Sequence, residues 1–126
     1  MNCVPTHLRA SQGDKIRELR RALINAGFVS LDQQAIALDL PRSTTWAILK
    51  GDHKCSGLRG ALVARMWSAP KLPPAVQRVL ADYVIEKSRG AYGHTDAMCR
   101  RFIARFEAFA NLDLATVMNV ARRALD

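Results

Sequence analysis

An all-α fold follows from three properties of the 126-residue chain. Apolar residues recur at three- and four-residue spacing along most of its length. No stretch alternates apolar and polar positions with β-branched enrichment, and glycine and proline interrupt the periodic segments at helix-like intervals. Hydrophobic residues make up 49% and charged residues 24%, an ordinary globular balance that allows one well-formed core.

Residues 1–13 have no clear period and end in Ser11-Gln12-Gly13, so a mobile N-terminal arm is expected there. A helix opening at Asp14 places Ile16, Leu19 and Leu23 on one face, and Gly27 stops it. Ser30 is a suitable N-cap for a short second helix with Leu31, Ala35 and Leu38 on one side. Asp39-Leu40-Pro41 interrupts that helix, and a third runs from about Arg42 to Lys50, ended by Gly51. A polar loop from Asp52 to Gly57 leads to a fourth helix carrying Leu58, Leu62 and Met66. Pro70 and Pro73-Pro74 bracket a linker, and the proline pair suits the first turn of a fifth helix with the stripe Val76, Val79, Leu80, Tyr83 and Val84. After Gly90 and Gly93, Thr95 can cap a sixth helix in which Met98, Phe102, Phe106 and Phe109 fall one above another. A seventh, from about Asp113, shows Leu114, Val117, Met118, Ala121 and Leu125. The division expected is an arm over 1–13, a five-helix domain over 14–90, and a helical hairpin over 95–126 that either caps the domain or makes a symmetric dimer.

No window reaches the roughly 18 apolar residues of a membrane span, and the first residues lack the basic-then-apolar layout of a secretory signal. A soluble cytoplasmic protein that makes no membrane contact is expected. Cys3, Cys55 and Cys99 are odd in number, far apart, and form no Cys-x-x-Cys pair. With only His53 beside Cys55, neither a disulfide framework nor a zinc site is expected, and no metal or cofactor is implied.

Nineteen Lys and Arg against 11 Asp and Glu give a net charge of +8. Residues 1–72 hold 11 bases and 5 acids, whereas 73–126 hold 8 and 6. Such a field attracts polyanions, although a basic surface also serves plain solubility. Catalysis needs gathered acids, bases, nucleophiles or metals. Here the acids are scattered singly, and neither a Gly-rich phosphate loop nor a Gly-x-Ser-x-Gly elbow occurs, so no enzyme is expected.

The stretch Ser30 to Gly51 carries the functional expectation: two short helices joined by a tight corner. Ala35 is small enough for a close crossing, Leu38 and Leu40 anchor the corner, and Asp39 stands where the backbone turns left-handed, which Asp tolerates. With Ile48 facing inward, the outward face offers Arg42, Ser43, Trp46, Ala47 and Lys50. An α-helix fits the major groove of duplex DNA, with its N-terminal residues at the base edges. Arg42 is placed for a bidentate contact to guanine, Ser43 can donate or accept, and Ala47 can touch a thymine methyl. Lys50 and Lys54 lie toward the far end, where they would hold phosphates.

These residues resemble the helix-turn-helix of the Cro/repressor (xenobiotic-response-element) family. Ala35, Leu38, Ile48 and Gly51 fall at that motif's spacing without a gap, and Leu40-Pro41-Arg42-Ser43-Thr44-Thr45 is similar to its frequent Val-Ser-Arg-Ser-Thr-Ile. The resemblance implies a five-helix, lambda-repressor-like domain with a two-helix C-terminal extension. It also implies a double-stranded DNA partner, with base contacts at Pro41, Arg42, Ser43 and Ala47, Trp46 beside them, and a phosphate contact at Lys50; Thr44 belongs to the same expected DNA-binding set. Four positions depart from the pattern: Gln34 stands where an apolar residue is usual, Thr45 for Ile or Val, Asp39 for Gly, and Pro41 for a Ser cap.

The expected function is therefore sequence-specific transcriptional regulation by a DNA-binding homodimer. Its recognition helices would lie about 34 Å apart, matching half-sites one DNA turn apart. Two alternatives stand beside it. One is a protein-interaction module of antitoxin or anti-activator type; the other is a DNA-architectural or recombination accessory factor. Individual residues have plainer readings as well. Arg42 can simply solvate a helix start, Trp46 can pack at a core edge, and Trp67 is a core or interface aromatic. The Phe102, Phe106 and Phe109 stripe is core or dimer interface, Arg100, Arg101 and Arg105 a solvated face, and His94 part of the local structure between two helices.

Overall fold

The computed structural model describes residues 6–50 and 57–123, and all regular structure in them is helical. The helices are α1 (Thr6–Asn25), α2 (Leu31–Leu38), α3 (Arg42–Leu49), α4 (Gly60–Trp67), α5 (Pro74–Ser88), α6 (Asp96–Ala110) and α7 (Leu114–Arg123). None of them is long and apolar enough to cross a membrane.

Helix α5 is the hub, packing on α1, α4, α6 and α7. Its expected stripe is fully realised: Val76, Val79, Leu80, Tyr83 and Val84 are all buried. Pro73 and Pro74 supply the preset φ that a first helical turn needs and lack the N–H groups that would go unsatisfied there. Across the hub, α1 delivers Ile16, Leu19 and Leu23 to the core, and Lys15, paired with Glu18 of its own helix at 3.0 Å, clips α1 to α5 through Glu86 at 3.3 Å and Asp82 at 3.9 Å. Phe102 and Phe106 of α6 and Val117 of α7 belong to the same buried cluster as the residues of α1–α5, so the last two helices share one core with the first five.

The expected arm over 1–13 is corrected from Thr6 onward, where helix α1 already runs. The polar Ser11-Gln12-Gly13 looked like an end, but Gln12 is 1% exposed and its Oε1 accepts from the Tyr83 hydroxyl at 2.7 Å. A tertiary hydrogen bond overrides weak local helix preference there. Leu58, expected on the fourth helix, precedes it: its N–H donates to Tyr83 Oη at 2.9 Å and its carbonyl accepts from Lys87 Nζ at 2.8 Å. The inward face of α4 is Val63, Ala64, Met66 and Trp67, with Leu62 only half-buried.

Gly60 permits a close approach between α4 and α6. A Cβ on it would stand 2.4 Å from the Phe102 carbonyl oxygen and 2.9 Å from the Phe106 nitrogen, so α4 and α6 meet backbone to backbone. The Trp67 and Phe106 rings pack edge to face at 5.9 Å beside this contact. The four-residue stripe of α6 divides accordingly: Phe102 and Phe106 are buried, whereas Met98 and Phe109 are 39% and 68% exposed. An eight-residue helix covers only the middle of a fifteen-residue one.

Candidate nucleic-acid interface

The α2–α3 pair begins with a reciprocal cap. Ser30 Oγ accepts from Gln33 N at 3.1 Å, and Gln33 Oε1 accepts from Ser30 N at 3.0 Å. Asp39 then takes the left-handed conformation, φ 55° and ψ 46°, and its N–H closes back on α2. This turns the chain within three residues, and Pro41 starts α3 without a side-chain cap.

Two residues that depart from the family-like pattern satisfy themselves locally. Gln34 is buried, and its Nε2 donates to the Phe28 carbonyl at 3.0 Å, tying α2 to the segment before it. Thr45 is completely buried, and its hydroxyl donates to the Pro41 carbonyl one turn back at 3.0 Å. The remaining surface of Thr45 is that of a β-branched apolar residue, so it fills the position where Ile or Val would pack.

Helix α3 is sharply two-faced. Thr45, Ile48 and Leu49 turn inward, and Ala35, Ala37, Leu38 and Leu40 close the core behind them. Pro41, Arg42, Ser43, Trp46, Ala47 and Lys50 are exposed, and Thr44 is half-buried. The expected set is thus brought together on one face, except Thr44, at its buried edge, and Lys54, which lies outside the described residues, as do Gly51, His53, Cys55 and Cys3. Trp46 is 53% exposed, contrary to its plainer reading as core packing, and the Lys50 ammonium lies 4.5 Å from its ring centroid. Leu31, Arg42, Ser43 and Trp46 rim a shallow depression at the start of the helix.

One neighbour escaped the sequence reading. Asp32, in the first turn of α2, pairs with Arg42: Oδ1 lies 2.8 Å from Nε, with both side chains largely in solvent. A carboxylate in that turn also favours the positive end of α2. The pairing with Arg42 depends on how α2 and α3 cross, which no local pattern encodes.

A second polar group was also missed, this one buried. Lys87 sits one turn beyond Tyr83 on the buried face of α5, donates to the Leu58 carbonyl, and lies 4.7 Å from the Phe102 ring centroid. Burial pushes its ammonium down to about 8. The signal was a lysine in phase with the stripe Val76, Leu80, Tyr83, a position from which a charged side chain cannot reach water easily.

No family model matches the chain, and none of the curated proteins or solved structures compared with it is similar.

Proposed function

We propose that the protein is a sequence-specific double-stranded DNA-binding regulator that lays α3 in the major groove and acts by binding rather than catalysis. The observation that carries this reading is the two-faced character of α3: three buried residues fix the helix, and a cationic, hydrogen-bonding face stands in solvent. Arg42 and Ser43 occupy the N-terminal turn, where base edges are read, and Lys50 sits at the far end, where a phosphate is met. The overall charge of +8 supplies the attraction. A homodimer would present two such helices to adjacent half-sites.

Binding of the purified chain to a randomised duplex library, read by sequencing at two salt concentrations, tests this. Arg42→Ala should relax selection at one base position, whereas Lys50→Ala should weaken all sequences alike. A library profile left unchanged by Arg42→Ala removes the proposed placement of α3.

Exposed apolar residues favour one other reading, a protein-interaction module. Val29, Ile36 and Trp46 are 64%, 56% and 53% exposed, on α2, α3 and the segment before them. Salt separates the two readings: an apolar protein interface holds as salt rises, whereas a DNA complex with several phosphate contacts loses orders of magnitude.

A further inference from the structure

Away from α3, a cavity of about 180 Å³ opens between the start of α4, the first half of α6 and the end of α5. Its walls carry five basic side chains, Arg59, Lys87, His94, Arg101 and Arg105, and no carboxylate. Between them lie apolar surfaces from Leu58, Met98 and Phe102. Lys87 anchors the Leu58 carbonyl, but neither solubility nor folding calls for Arg59, Arg101 and Arg105 around the same concavity, since like charges repel.

We propose that this cavity binds a small organic carboxylate, with its apolar body against Met98 and Phe102 and its carboxylate among Arg59, Arg101 and Arg105. The planar guanidinium forks match a carboxylate two bonds at a time. Among the described residues, none of the three arginines is held in an ion pair. Lys87 lies behind them, 5% exposed, and its ammonium is disfavoured by burial. An anion in the cavity relieves that penalty. The α4 N-terminus, at Gly60 on the cavity wall, adds its positive end. The volume limits the occupant to a metabolite-sized molecule, below the usual range for drug-sized ligands of about 300–1,000 Å³. The apolar walls favour a carboxylate with a hydrocarbon body over a bare inorganic anion, which would lose hydration and gain no contact with Met98 or Phe102.

The test uses the full chain with ¹³C-methyl methionine, which gives four signals, assigned for Met98 by Met98→Leu. Benzoate and isovalerate are titrated as aromatic and aliphatic carboxylates, with benzamide and inorganic phosphate as controls, at constant ionic strength. The expected result is a saturable shift of the Met98 signal with at least one carboxylate. Both controls should need at least ten times the concentration. The double variant Arg101→Gln/Arg105→Gln should raise the dissociation constant at least tenfold, while its unshifted Met66 and Met118 signals report an intact fold. Three results each overturn the proposal: no saturable Met98 shift with either carboxylate, equal binding of benzamide or phosphate, or unchanged affinity in a folded double variant.

Discussion

Replacing Asp32 by Asn separates what the α2–α3 pair needs for stability from what the proposed DNA contact needs. The Asp32–Arg42 contact is 2.8 Å long, but the two side chains are 75% and 69% exposed. An ion pair so open to water is worth about 0.2–1 kcal/mol, so releasing Arg42 from it before DNA engagement gains a factor of about 1.4 to 5 in affinity. Asp32 also places a negative charge beside the proposed phosphate track; removing it adds a further gain that fades as salt shortens the Debye length. Together these give a tightening of about 3- to 10-fold at 50 mM salt, shrinking toward 2-fold at 200 mM. Stability moves the opposite way. The same carboxylate sits in the first turn of α2, where it favours the helix dipole by about 0.3–1 kcal/mol, and Asn forfeits that together with the ion pair. Fluorescence anisotropy on a selected duplex, paired with urea unfolding, reads both quantities. Repeating the substitution on Arg42→Ala closes a double-mutant cycle, in which the part of the gain due to Arg42 should vanish. An Asp32→Asn protein that binds DNA no better, or gains equally with and without Arg42, refutes the assignment of Arg42 to the groove.

Three further outcomes are expected. Gly60→Ala forces a Cβ within 2.4 Å of a backbone oxygen of α6, so overpacking of about 1–3 kcal/mol should outweigh any helix-propensity gain and lower the melting temperature, as calorimetry would show. Lys87 has a folded-state value of about 8, below the ordinary 10.5, so the native state is fully penalised below pH 8. Stability relative to Lys87→Met should therefore rise by up to about 3 kcal/mol between pH 8 and 10.5, and parallel urea-midpoint curves for the two proteins would contradict this. Asp39→Gly relieves a non-glycine residue at φ 55° and should raise stability by up to about 1 kcal/mol in thermal unfolding, with the library profile unchanged.

Periodicity made much of this architecture legible. The stripes of α1 and α5, the Ser30 cap, the left-handed Asp39 and the outward face of α3 all rest on local rules that act within a turn or two. What stayed hidden depends on contacts between segments far apart in the chain. Gln12 belongs to a helix because Tyr83, 71 residues on, donates to its side chain. Leu58 serves as an anchor before α4 rather than as its first apolar residue, because both its backbone groups are taken by α5 side chains. The ends of the α6 stripe are exposed because α4 is short, a fact about the partner's length and not about α6. Likewise, the Arg42 partner and the basic cavity are products of how helices cross.

The shared hydroxyl of Tyr83 has a consequence for dissecting the chain. It donates to Gln12 and accepts from Leu58 and Lys87, so α1, the segment before α4 and α5 converge on one oxygen. Excising residues 14–90 as a minimal reader would remove Gln12 from that oxygen and strip Phe102 and Phe106 from the Tyr83 and Trp67 rings. Such a fragment should be a loosened globule that binds a hydrophobic dye, because α1–α5 share their interior with α6 and α7.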